Sequence, residues 1–182
     1  MRPSNRSKIL EAATRIVDRD GVDAVTFESV CQEAGLTRSG VVYHFASREQ
    51  LLTAMHDYLA GRWEAMMEQN AGKPVAAAST LERYEAYVAT CAHGATAAEL
   101  RFLLDSVSIQ GNANAWFDVL DRWAPPLDKA LSSAGHLDNF VARLAADGLW
   151  VHEALSRNEL SPELKRLVTS RILGFLDNQS RR

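Results

Sequence analysis

The chain has 182 residues, 47% of them hydrophobic and 24% charged. That is an ordinary globular balance, long enough for one or two domains with a real core, and it excludes a largely disordered chain. Twenty basic against 23 acidic residues leave a net charge of −3, which argues against a protein that coats nucleic acid over its whole surface. No run of about 18 apolar residues is present, so no spanning helix is expected. The first residues have no apolar stretch behind them, so no secretion signal is expected either. Two cysteines, Cys31 and Cys91, are too few for a disulfide framework or a metal cluster, and a reducing cytoplasm is the expected location. The charge is uneven. Residues 1–56 carry seven basic and seven acidic groups, with Arg2, Arg6 and Lys8 unopposed in the first ten. Residues 57–182 supply the whole deficit. That pattern permits a nucleic-acid contact confined to one end.

Alternating strand patterns are nearly absent, and an apolar helical period recurs along the chain, so the fold class is all-α with about nine helices. Ile9, Ala13, Ile16 and Val17 mark one face of a helix over about 5–19, stopped by Gly21. Thr26 is the cap of a short helix ending at Ala34, before Gly35. Ser29 stands where a capping box wants Glu or Gln, so only half of that device is expected. Thr37 starts a second short helix, about 38–44. Ser47 with Gln50 is a fuller capping box, and launches a long helix of roughly 48–69 whose face carries Leu52, Met55, Leu59, Trp63 and Met66. After a break at Gly72-Lys73-Pro74, five further helices are expected at about 78–93, 97–109, 113–133, 137–157 and 161–178. Pro125-Pro126 falls inside one of them and predicts a kink or split near Ala124. Ser161-Pro162 is a strong start for the last.

Two short helices joined by a tight glycine turn read as a helix-turn-helix. Helices this short are marginal alone and need the stripe on 5–19 to pack against. Phe27, Val30, Cys31, Ala34 and Leu36 would face that stripe, with Val41 and Phe45 closing the core. Thr37, Arg38, Ser39, Gly40, Tyr43 and His44 are then left pointing outward. In this motif the N-terminal end of the second helix enters the major groove. Arg38 suits guanine, whose O6 and N7 accept its paired donors, and Gly40 allows close approach of the backbone. Tyr43, His44, Thr26 and Arg48 suit phosphates, Arg48 together with the free N–H groups at the start of the long helix. The basic arm with Arg2 and Arg6 suits the backbone or the minor groove.

The stretch 26–51, with Thr26-Phe27-Glu28-Ser29, Ala34-Gly35-Leu36-Thr37-Arg38-Ser39-Gly40 and Tyr43-His44-Phe45-Ala46-Ser47-Arg48, resembles the DNA-binding signature of the tetracycline repressor (TetR) family. The likeness covers about 50 residues closely, and the remainder only in length and helical plan. It departs in two places. Val42 stands where many members carry a tyrosine, leaving Tyr43 to take that phosphate contact, and Arg48 replaces the usual lysine. The resemblance implies a homodimeric transcriptional regulator, most simply a repressor released by a small molecule from a palindromic DNA operator. It implies a DNA-binding domain over 1–48 and a helical ligand-binding and dimerisation domain over 49–182.

In the second of these, Trp63, Tyr87, Phe102, Trp116, Phe117 and Trp150 are the candidates to line a ligand cavity, with ordinary core packing as the alternative for each. The late apolar stripes, Val141, Leu144, Leu149, Trp150 and Leu155, then Leu164, Leu167, Val168, Ile172, Phe175 and Leu176, are wider than one neighbouring helix needs. A four-helix interface between two copies would cover them. His152-Glu153 lacks the second histidine of a zinc-protease helix, and no metal, cofactor or catalytic residue is expected. The rival reading is an all-helical small-molecule-binding protein or enzyme without DNA binding; no phosphate loop or nucleophile–base pair in the sequence supports it.

Overall fold

The computed structural model describes residues 4–94, 96–108, 114–124, 134–156 and 160–177, without the side chains of 105–108, 114, 134–136 and 177. Nine α-helices and two 3-10 turns make up its regular structure among those residues. They are α1 (Asn5–Asp20), α2 (Phe27–Ala34), α3 (Arg38–His44), α4 (Arg48–Ala71), α5 (Thr80–His93), α6 (Ala97–Ser108), α7 (Asn114–Trp123), α8 (Ala134–Leu155) and α9 (Pro162–Asp177). The 3-10 turns are Val22–Ala24 and Val75–Ala77.

The helix ends follow from side-chain chemistry. Ser4 caps α1 by accepting from Ser7 N at 3.2 Å, and Gly21, at φ 88°, ends it with its N–H on the Val17 carbonyl. At α2 both halves of a capping box are present, which corrects the expectation of half. Ser29 N donates to Thr26 Oγ1 at 3.1 Å, and Thr26 N donates to Ser29 Oγ at 3.0 Å. A short hydroxyl reaches back far enough here, and it also donates to the Ala24 carbonyl at 2.7 Å. Gly35 sits in the left-handed region at φ 65°, and Leu36 N bonds to the Cys31 carbonyl at 3.0 Å, the turn that folds α3 back on α2. Ser47 Oγ accepts from Gln50 N at 3.2 Å, but the Gln50 side chain takes Ala46 N at 3.0 Å rather than the N-cap amide. Ser79 and Glu82 form a full box at α5.

By packing, the chain forms two compact units: residues 1–60 with 96–116, and residues 61–95 with 117–182. The dividing line falls inside α4, between Ala60 and Gly61. This is a different cut from the division by role expected at residue 48. The first unit holds α1, α2, α3, the beginning of α4 and α6. Its core is Ile9, Leu10, Ile16, Val17, Val30, Val41, Phe45, Leu51, Met55, Leu59, Phe102 and Trp116. The second packs α5 against α8 and α9, with Trp63, Met67, Tyr84, Tyr87, Val88, Leu149, Trp150, Ile172 and Leu176 inside.

Most described helix ends fall within two residues of expectation. The helix anticipated over 113–133 with a kink or split near Ala124 runs over Asn114–Trp123 and stops there, as the proline pair predicts; residues 125–133 lie outside the described residues. α8 begins at Ala134, three residues earlier than the periodicity suggested.

Candidate nucleic-acid interface

α1, α2 and α3 make a three-helix head. Val30, Val41 and Phe45 are buried at its centre as expected, while Phe27, Cys31, Ala34 and Leu36 are only half-buried. Across the top of the head, Glu33 of α2 accepts from Arg15 Nε at 2.8 Å and from Arg19 at 3.2 Å, both on α1. The Arg15 and Arg19 guanidiniums pull the Glu33 carboxyl below its ordinary range. The sequence reasoning missed this clamp. Arginines four residues apart on one helix face were visible, but nothing local pointed to an acceptor on another helix.

The outer face of α3 is the candidate interface. Thr37, Arg38 and Ser39 are exposed, Gly40 and His44 half-buried, and Tyr43 is 85% exposed. Thr37 Oγ1 accepts from Gly40 N at 3.2 Å and lies 3.1 Å from Ser39 Oγ, so this threonine is engaged as the helix cap. The Tyr43 and His44 rings meet edge to face at 5.1 Å, which orients both outward groups. Val42 adds an apolar group, 41% exposed, beside them. Thr26 is exposed at the start of α2. Arg6 belongs to the first turn of α1 rather than to a loose arm, with its guanidinium 5.4 Å over the Phe45 ring. Arg2 lies outside the described residues.

Arg48 differs most from its expected role. Its Nε donates to the Val25 carbonyl at 2.8 Å and its terminal nitrogen to the Val22 carbonyl at 3.0 Å. The guanidinium is thus turned onto the backbone that leads into α2, and latches the start of α4 to it.

The aromatic residues expected to line a cavity divide between the two units. Trp63, Tyr87 and Trp150 come together in the second: Trp63 meets Tyr87 edge to face at 5.4 Å and Trp150 tilted at 5.1 Å. Phe102 and Trp116 are buried in the first, Phe102 edge-on to the His56 ring at 4.8 Å. Phe117 is 45% exposed. The Tyr87 hydroxyl donates to Asp147 Oδ1, and Arg143 lies 3.9 Å from the other carboxylate oxygen and 5.9 Å over the Tyr87 ring. Burial pushes the Asp147 carboxyl up, against the opposite pull of the Tyr87 hydroxyl and the Arg143 guanidinium. Burial likewise raises the Cys91 thiol well above its ordinary value, an unreactive setting.

Two family models match. One, described as bacterial regulatory proteins of the tetR family, matches residues 9–55; the other, described as the tetracyclin repressor-like C-terminal domain, matches residues 82–177, more than half of the chain. The chain belongs to the tetracycline repressor family. A curated member, the HTH-type transcriptional regulator BetI of Rhizobium meliloti (strain 1021), is 31% identical over 88 residues, 48% of this chain and 42% of that protein. The chain thus covers less than half of that relative's length. Among solved structures, a transcriptional regulator from Rhodococcus sp. Rha1 superposes with a TM-score of 0.71 at 13% identity, over 97% of each chain. A regulator from Streptomyces coelicolor A3(2) is 22% identical, with a TM-score of 0.55 over 96% of this chain and 99% of that one. The multidrug binding protein EbrR, solved with malachite green, matches at 17% identity and a TM-score of 0.60, over 93% of this chain and 98% of that one. At these identities the structures speak for the fold. No helix among the described residues is long and apolar enough to cross a membrane.

Proposed function

We propose that this chain is a sequence-specific DNA-binding transcriptional regulator, a cytoplasmic homodimeric repressor released from its operator by a small-molecule effector, and not an enzyme. The observation that carries the reading is the α3 face. The seven-residue α3 and its cap leave Thr37, Arg38, Ser39 and Tyr43 exposed on a head whose other side is closed by packing. Residues 1–48 read the DNA and residues 49–182 dimerise and bind the effector. Arg38 pairs with a guanine, Ser39 and Thr37 reach neighbouring base edges or phosphates, and the Val42 methyls suit the methyl of thymine. Gly40 lets the backbone approach. Tyr43, His44 and Thr26 bind phosphates, and Arg2 and Arg6 extend the contact along the backbone. Arg48 acts through the latch described above, by holding the head in shape.

A palindromic operator is read by two heads about 34–36 Å apart. The pairing surface is the outward row of α8 and α9: Leu137, Val141, Leu144, Val151, Leu155, Leu164 and Leu167 are all exposed, Leu155 by 72%. Part of the expected stripe, Leu149, Trp150, Ile172 and Leu176, turns inward instead, so the interface is narrower than the sequence pattern implied. The effector site is built around Trp63, Tyr87 and Trp150. An effector shifts the DNA-binding equilibrium only by its difference in affinity for the two arrangements, and α4, which runs through both packing units, is the lever between them.

The test is selection of duplexes from a random library by the full chain, followed by titration of the winner with salt varied. A selected site should bind in the nanomolar class and weaken steeply with salt. Absence of any preference over random duplex overturns the reading.

A further inference from the structure

Within the unit of residues 1–60 and 96–116, the end of α1 and the start of α6 satisfy each other. A helix start leaves N–H groups without partners, and a helix end leaves carbonyls without partners. At the start of α6, Thr96 and Glu99 serve their own turn: Glu99 N donates to Thr96 Oγ1 at 3.3 Å and Thr96 N to Glu99 Oε2 at 2.7 Å. The next donor is served from far away. Ala98 N donates to the Asp18 carboxylate of α1 at 2.8 Å, across 80 positions of sequence. In the opposite direction, Arg101 of α6 donates from one terminal nitrogen to the Val17 carbonyl at 2.6 Å and the Asp18 carbonyl at 3.1 Å, the last turn of α1. The charges are matched to the helix ends. The acid faces the positive start of α6 and the guanidinium the negative end of α1.

The same two turns of α1 that carry this clamp also carry Arg15 and Arg19, which hold Glu33 of α2. The clamp therefore continues, through polar contacts of fixed geometry, into the helix that packs against α3. Apolar contacts tolerate sliding; hydrogen bonds to a helix end are directional and are lost within about an ångström of displacement.

We infer that Asp18 and Arg101 are positioning residues for DNA reading: their reciprocal clamp seats α1 on α6 and, through Glu33, sets α2 and α3. This gives the head a second connection beside α4, so that a displacement of α6 is delivered to the reading helix through α1. The inference rests on the DNA-binding reading above.

The experiment uses the full chain with Asp18→Ala, Arg101→Ala, the double variant, and Asp18→Asn, which keeps an acceptor for Ala98 N. Amide hydrogen exchange is followed across residues 27–44, together with affinity for a duplex selected by the unaltered chain. Each alanine variant should exchange about tenfold faster over 27–44 and bind the duplex about tenfold more weakly, a coupling of ordinary size. The double variant should be worse than either alone, because each change removes one half of the clamp and leaves the other in place, and Asp18→Asn should recover most of the Asp18→Ala loss. Where an alanine variant fails to fold, Arg101→Gln, which keeps most of the stem, should show the same pattern. Faster exchange confined to residues 17–21 and 96–101, with 27–44 unchanged, overturns the inference and leaves a local cap. If the unaltered chain selects no duplex, the DNA reading fails, and the exchange pattern still decides whether the clamp sets the head.

Discussion

Arg48 and Arg38 are ten positions apart, carry the same side chain and have opposite settings. Arg48 is half-buried on two backbone carbonyls, and Arg38 is exposed at the tip of α3. Removing Arg48 leaves the Val22 and Val25 carbonyls without their charged donor, so Arg48→Ala should cost about 1–3 kcal/mol of stability. Arg48→Lys should restore little of it, because an ammonium cannot present the same fork to two carbonyls. Arg38→Ala should melt like the parent and relax base choice at one position of each half-site, costing about 1–3 kcal/mol of discrimination. Thermal melts beside duplex titrations separate the two; an Arg48→Ala protein of parental stability with uniformly weak DNA binding would restore the phosphate role. The sequence located both arginines correctly on the chain, but the latch depends on a tertiary path across 23 to 26 positions that no local pattern records. Asp147 makes a second residue-scale case. Burial raises its carboxyl in the folded chain, so the stability it contributes is complete below the ordinary aspartate range and is lost as pH climbs through the raised value. Asp147→Asn, which keeps an acceptor for the Tyr87 hydroxyl, should therefore raise Tm at pH 7, with the gain shrinking towards pH about 4. A lower Tm at pH 7 would mean that Tyr87 and Arg143 hold the ion more firmly than burial opposes it.

At the scale of elements, α2 and α3 have eight and seven residues, too short to persist without caps and a partner helix. Their signals were legible because they are local: Thr26, Gly35, Thr37 and Ser47 all act within a turn of where they stand. Ser29 does not announce its role, because the usual box employs a long acid or amide, whereas here the hydroxyl lies 3.0 Å from Thr26 N and also ties down the Ala24 carbonyl. Ser29→Ala should lower the unfolding free energy by about 1 kcal/mol, read in denaturant with an unchanged slope. An unaltered midpoint would mean that Thr26 alone supports the helix. The later helices were harder to bound. Their apolar period carries no stop signal of its own, and at α7 it is the proline pair after Ala124 that marks the end at Trp123.

At the scale of the molecule, the aromatic residues show what a one-dimensional pattern withholds. Trp63, Tyr87 and Trp150 meet, while Phe102 and Trp116 belong to the other packing unit and Phe117 is 45% exposed. Helical spacing puts a ring on a face, and only the packing decides which neighbour that face meets. The outward leucines of α8 and α9 carry the molecule-scale prediction. A charge at Leu144, which is 53% exposed, should cost the folded chain little and an apolar dimer interface a great deal. Leu144→Glu should sediment as a monomer of parental helicity and lose tight binding to a selected duplex, whereas a dimer that survives the change would place the interface elsewhere.

Gly61 is exposed in mid-helix, at the first position beyond the line that separates the packing units, and a Cβ built there meets nothing within 4 Å. A methyl group would fit without disturbance and would favour the helix by about 1 kcal/mol. Gly61→Ala is thus a stiffening change with no steric consequence, placed where α4 passes from one packing unit to the next. A protein so altered, firmer to heat yet slower to let go of its DNA when the effector arrives, would show that the chain keeps a little helical weakness there in exchange for responsiveness.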